Sequence, residues 1–183
     1  MRILSNCAMH DLPTTQRIMS APDLRVEIYH ALSFLISFCT DQWAAGNNRI
    51  KQLLNEVLLV CGYFVVLHPQ NQGVLRWGKS PTILKKLCHL PFPYFCDPDL
   101  QEVLLPTILA ACYKNQNNRM VVEQDFSLKM LRRFLRNVEV KGWDNLQKKA
   151  VKAGGTQSAS RFSLGKRFPL SQTNEVLKWL DED

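Results

Sequence analysis

The chain has no apolar run long enough to span a bilayer. Its longest, residues 57–67, falls well short of the roughly 20 residues a spanning helix needs, and Asn55 and Glu56 directly precede it. No secretory leader is expected either, because residues 1–12 carry Arg2, Asn6, His10 and Asp11 where a leader needs an apolar segment. None of the six cysteines stands in a C-x-x-C pair. Cys39, Cys61 and Cys112 lie inside apolar patterns, where a free thiol acts as a small hydrophobe, so reduced thiols in a cytosolic compartment are expected. The sequence has no glycine-rich phosphate loop, no carboxylate pair and no nucleophile beside an oriented base. It therefore reads as a non-enzyme with no cofactor. Cys88, His89 and Cys96 are close in sequence but lack the short paired spacing and fourth ligand of a tetrahedral zinc site, and they read as core around an apolar turn.

What the chain does have is apolar content and positive charge. Its 183 residues are 46% hydrophobic, which suffices for one domain or about three to four helical repeats. The net charge of +7 favours anionic partners such as RNA, a ribosome, acidic peptides or anionic lipid.

The organising stretch is residues 55–90. An apolar segment ends at His68-Pro69, a short segment headed by Asn71-Gln72 follows, the pattern breaks at residues 78–81, and a second apolar stripe begins at Ile83-Leu84. A shift of 47 residues lays Leu58 on Leu105, Val65 on Cys112, Asn71 on Asn118, Val74 on Val121, Leu84 on Leu131 and Leu87 on Phe134, with Lys85-Lys86 on Arg132-Arg133. A gapless run of this kind is the signature of stacked helical units, at the long end of the armadillo and HEAT range. The expected fold is an all-α, armadillo/HEAT-like helical solenoid segment of about three repeats.

In chain order, residues 1–21 are weakly patterned, are expected to form a weakly structured N-terminal segment, and resemble the start of a fragment. Residues 22–140 form the armadillo-like domain. It opens with a helix over 22–39, in which Pro22 suits a first turn and Leu24, Ile28, Ala31, Leu32, Leu35 and Phe38 make the stripe, as the closing helix of a preceding unit. Asn47 or Asn48 is expected to cap the next helix, which is apolar nearly all round and so buried on both sides. Residues 91–95, with Pro91 and Pro93, should not continue a helix and read as an apolar turn. Asp97-Pro98 restarts a helix that Pro106 should kink. Residues 127–138 put Met130, Leu131, Phe134, Leu135 and Val138 inward and Lys129, Arg132, Arg133 and Arg136 outward. Residues 141–170 are a basic linker with Gly154-Gly155. Residues 171–183 form a short amphipathic helix that docks back on the core, followed by a solvated acidic end, Asp181-Glu182-Asp183.

Between residues 127 and 167 stand eleven Lys or Arg against Glu139 and Asp144. Two readings are open. Either these are solvated helix faces, or Lys85, Lys86, Lys129, Arg132, Arg133 and Arg136 form a stripe across neighbouring units that contacts rRNA phosphates or an acidic protein surface. Arg133-Phe134-Leu135 matches an Arg-x-Leu cyclin-docking peptide, yet Phe134 and Leu135 fit a buried helix stripe better. Trp77 and Trp143 fit either exposed anchors or packing.

The stretches LLNEVLLVCGYFVVLHPQNQ, SPTILKKLCHLPFPYFCDPDLQEVLLPTILAACYKNQNN and RFPLSQTNEVLKWL resemble the C-terminal domain of the family of the S phase cyclin A-associated protein in the endoplasmic reticulum. The likeness covers residues 53–127 and the tail from Arg167, and does not extend to 137–166. It implies a non-enzymatic regulatory scaffold, cytoplasmic and at the endoplasmic reticulum through parts outside this chain. It also implies links to cyclin A and its kinase, and to ribosome-associated decay of tubulin mRNA through a ribosome-bound adaptor. The expected function is a monomeric protein-interaction scaffold docking on ribosomes or such an adaptor. The alternatives are a direct, sequence-independent RNA binder through the basic stripe, a generic adaptor for acidic proteins, or a degenerate fragment. The RNA reading lacks aromatics interleaved with the basic run, on which single-stranded bases would stack.

Overall fold

The computed structural model describes residues 1–47, 49–141 and 172–181, and among these the chain is helical with no strand. Two short helices, α1 (Arg2–His10) and α2 (Leu12–Met19), precede the long α3 (Pro22–Ala44). A long helix, α4 (Ile50–Val65), is followed by two short ones, α5 (Pro69–Val74) and α6 (Ile83–Cys88). After the single turn α7 (Pro93–Cys96) come α8 (Pro98–Cys112), α9 (Gln116–Asp125) and α10 (Leu128–Lys141), and α11 (Thr173–Asp181) closes the described chain. Of the stretch read as a linker, Lys141 belongs to α10 and the rest, with Gly154-Gly155 and Trp143, lies outside the described residues, as do Glu182 and Asp183.

Helix α4 is the centre. It packs on α3 along one side and α8 along the other, with α1 also against it. Every residue from Glu56 to Val65 is buried, so a helix apolar nearly all round is covered nearly all round. It approaches α8 closely at Gly62, where a Cβ would stand 3.1 Å from Thr107 Oγ1. That hydroxyl donates back to Val103 O and across the interface to Leu58 O, at 3.0 and 3.1 Å. Helix α8 continues unbroken through Pro106 to Cys112.

Three expectations are corrected. Residues 1–21 are two helices, with Ser5, Ala8, Thr15 and Met19 buried. Two of those four buried residues are polar, so the hydrophobic pattern that would have announced the helices is half erased. Ser5 Oγ instead donates to Glu56 Oε2 at 2.9 Å, and Asp11 caps α2 by accepting from the Thr14 amide at 3.0 Å, a hydrogen bond that holds its carboxyl below the ordinary value. Second, the N-cap of α4 is Arg49, with no side-chain cap, while Asn47 Oδ1 accepts from the Arg49 amide one step earlier and Asn48 lies outside the described residues. Third, the turn at residues 91–95 contains α7. Proline is compatible with the first position of a helix, and Pro93 occupies it. Tyr94 turns inward and donates to Asn55 Oδ1 at 2.6 Å, while Phe92 is 76% exposed.

The ends of α4 and α8 show what the 47-residue register means physically. The last turn of a helix leaves carbonyls without intrahelical partners, and a buried one needs donors from elsewhere. At the end of α4, Gln16 Nε2 donates to Tyr63 O and Val66 O (both 2.8 Å), Asn71 Nδ2 to Phe64 O (2.8 Å) and the His68 amide to Val65 O (3.1 Å). At the end of α8, Gln72 Nε2 donates to Ala110 O (2.9 Å) and Tyr113 O (3.0 Å), Asn118 Nδ2 to Ala111 O (2.7 Å) and the Asn115 amide to Cys112 O (2.9 Å). All four acceptors recur 47 residues on. So do the left-handed residues that turn the chain, Leu67 (φ 52°) and Lys114 (φ 55°), and the caps that follow, His68 and Asn115, which accept from the amides of Asn71 and Asn118.

Gln72 and Asn118 thus tie one set of helices to the next. Asn118 is fully buried, and Asn118→Ala would strand Ala111 O and Gln72 O, its two acceptors, without their donor. Urea denaturation should show a loss of about 1–3 kcal/mol for this variant, the cost of an unpaired buried polar group. A loss within about 0.5 kcal/mol, the range of an ordinary surface change, would mean that these carbonyls are satisfied another way.

Candidate interaction site

The six basic residues of the expected stripe do not all line one cleft. Helix α6 packs mainly on α9 and α3, whereas α10 packs on α11 and α8. Lys86 turns toward α3, where its ammonium donates to Ser33 O and Ser33 Oγ, both at 2.9 Å. Burial lowers its pKa, with Asp41 opposing the shift. Lys85 is half-buried on the same helix. Neither lines the cleft beside α10.

On α10 the four cations do come together. Lys129, Arg132, Arg133 and Arg136 line a cleft of about 420 Å³ with Asn137 and Asp181. The i, i+3, i+4 and i+7 spacing puts them on one side of the helix, while Leu131 and Leu135 are fully buried on the other. Phe134 is half-buried, so Arg133-Phe134-Leu135 is helical and its leucine is core.

Two members of this set are engaged within the chain. Arg132, with 23% of its side chain exposed, forms an ion pair to Asp181 Oδ1 at 2.9 Å, and its Nε and Nη2 both donate to Leu180 O at the end of α11. Arg136 approaches Asp181 Oδ2 at 3.9 Å. The expectation that Arg132 points outward and Asp181 is merely solvated is therefore corrected: the helix end and the guanidinium satisfy each other, a charge-assisted contact at a carbonyl terminus that favours cations. Lys129 and Arg133 are exposed and form no ion pair among the described residues.

The sequence reading missed Arg119, the residue that anchors α11 from α9. It is 4% exposed. Its Nε meets Glu123 Oε1 at 2.7 Å, its Nη1 donates to Trp179 O at 2.8 Å, and its guanidinium lies 5.2 Å from the Trp179 ring centroid. A buried cation requires this much pairing to be tolerated. The signal for it was present, because the register that lays Asn71 on Asn118 also lays Gln72 on Arg119. The Trp179 ring meets Tyr113 edge-on at 5.6 Å, and Tyr113 Oη donates to Glu175 Oε2 at 3.1 Å. Val176 and Leu180 are fully buried beneath.

The remaining candidates separate. Cys88 is buried, Cys96 is exposed, and no group of three His, Cys, Asp or Glu among the described residues is placed to hold a metal ion. Trp77 is 42% exposed and packs edge-on against Tyr29 at 5.9 Å. No helix among the described residues is long and apolar enough to cross a membrane.

Two measurements check this geometry. All six cysteines are free, and burial pushes the thiols of Cys61, Cys88 and Cys112 up to about 12 and that of Cys39 upward. A thiol reagent at pH 8 should label Cys7 and Cys96 in the native chain, and the other four only after denaturation. Arg132→Ala should weaken α11 by about 1–3 kcal/mol, the scale of a hydrogen bond to a charged group. That loss is read as faster amide exchange over residues 173–181 with α4 and α8 unchanged.

No family model matches the chain. It is 36% identical over 177 residues, 96% of its length, to the human (Homo sapiens) protein described as S phase cyclin A-associated protein in the endoplasmic reticulum, and it spans 12% of that protein. The likeness thus reaches well beyond residues 53–127 and the tail. Over nearly its whole length, the chain is a relative of one segment of the S phase cyclin A-associated protein in the endoplasmic reticulum.

Proposed function

We propose that the chain is a non-enzymatic protein-interaction scaffold, cyclin A-associated and at the endoplasmic reticulum as its relative's name describes, built as an armadillo-like stack of helical units. The observation that carries the reading is the 36% identity over 96% of the chain. The stacking reading is supported by carbonyl acceptors that recur 47 residues apart, two at each helix end being capped by a glutamine from an earlier short helix. Within that frame the chain docks on ribosomes or on a ribosome-bound adaptor in regulated mRNA decay. The exposed cations Lys129 and Arg133, beside the α10–α11 cleft, are its contact to the acidic surface.

The same two cations are what favour a second reading, direct contact with RNA phosphates. Co-sedimentation of the purified chain with ribosomes across a salt series tests both, run beside the Lys129→Glu/Arg133→Glu variant. That pair leaves Arg132 and Arg136 to hold α11. Salt-sensitive pelleting that the variant loses is expected, since each lost phosphate contact flattens the salt dependence. Free RNA retained on a filter with the same affinity would move the function to RNA binding. A helical wild-type chain that does not pellet at all rules out direct ribosome contact.

A further inference from the structure

The capping series has a third member. Gln16 on α2 caps the end of α4, Gln72 on α5 caps the end of α8, and Arg119 on α9 caps the end of α11. Helix α11 thus receives the same kind of cap as α4 and α8, although it packs on α10 rather than along α8 as α8 packs along α4. It is a shorter helix: nine residues, against sixteen for α4 and fifteen for α8. It also arrives from a distance in sequence. Helices α4 and α8 begin within about ten residues of the helices before them, whereas residues 142–172 separate α10 from α11. A helix shorter than about 12 residues is marginal on its own, so the folding of α11 and its docking are one event.

The receiving face is chemically specialised. The two inner positions use neutral carboxamides, while here Arg119, Arg132 and Arg136 supply guanidinium groups to the carbonyls of Trp179 and Leu180 and to the Asp181 carboxylate. The groove above Leu131 and Leu135 takes the apolar side of the helix, Val176 and Leu180. What such a face recognises is an amphipathic helix with leucine or valine on one side, an aromatic residue near its end and a carboxylate at its C-terminus.

We propose that this α9–α10 face is a docking site for a short, acidic-ended amphipathic helix of a protein partner, and that α11 is its intramolecular occupant, displaced when the partner helix binds. The proposal rests on the reading of the chain as an interaction scaffold only for its biological use. Helix exchange itself is independent of ribosome binding, so either can fail without the other.

The test uses the full chain and a fluorescein-labelled peptide of residues 172–183, QTNEVLKWLDED, as the partner stand-in. In the Leu180→Asp chain the resident helix loses its buried leucine while the receiving side chains stay intact. The peptide should bind that chain roughly tenfold more tightly than the wild type. It should lose binding when its own aspartate at position 181 is replaced by lysine, or when Arg132→Glu is added to the chain. Equal binding to both chains, or none by a Leu180→Asp chain of native helicity, overturns the proposal. Should that variant not fold, the wild type decides: excess unlabelled peptide must speed amide exchange over residues 173–181 and leave α4 and α8 unchanged, and no such effect overturns it. A wild-type chain that light scattering finds as a dimer, turned to monomer by the peptide, would replace the partner helix with a second copy's α11.

Discussion

A helix buried at its C-terminal end must find donors for its last carbonyls, and in this protein that requirement joins one helix to the next. The four terminal acceptors of α4 and of α8 are satisfied by the same kinds of group: a glutamine from an earlier short helix, an asparagine from the following one, and a backbone amide from the turn between. Each donor belongs to a different element from its acceptor or lies across a turn from it. The long helices therefore cannot be buried without the short ones in place, and local and long-range structure form together.

That dependence explains why polar side chains sit in the middle of an apolar core. Asn71, Gln72 and Asn118 are buried to 2% exposure or less, a costly position for carboxamides that do not hydrogen-bond. Here each donates to two acceptors. The small contact at Gly62 and Thr107 belongs to the same arrangement, letting α4 and α8 approach until the Thr107 hydroxyl can reach Leu58 O.

At the last position the solution changes from carboxamide to guanidinium, and with it the character of the molecule's end. Arg119 and Arg132 satisfy the carbonyls of α11 as Gln16 and Gln72 do those of α4 and α8, but they also carry charge, which selects for an acidic helix end. The basic excess of the sequence is therefore partly internal. Arg132 and Arg136 work against Asp181, Lys86 against Ser33, and the exposed share of α10 falls to Lys129 and Arg133 beside the partly committed Arg136.

The helical class and the burial of α4 were legible in the sequence because they are written in hydrophobic periodicity, which needs no knowledge of neighbours. The amphipathic character of α10 and α11 was legible for the same reason. Helices α1 and α2 were not, because two of their four buried residues, Ser5 and Thr15, are polar, and because Ser5 and the half-buried Gln16 find partners on α4 at Glu56 and at the carbonyls of Tyr63 and Val66. Nor could charge patterning say which of six cations face water. A lysine or arginine looks the same in sequence whether it ends in solvent or on a carbonyl, and only the position of α3 beside α6, and of α11 beside α10, decides between them. Periodicity determined which helices are buried, although on α3 the buried residues are Leu32, Ile36 and Cys39 while Leu24 and Phe38 of the expected stripe are exposed. Tertiary packing decided which polar groups meet, because the hydrophobic effect is non-directional while a hydrogen bond has to be aimed.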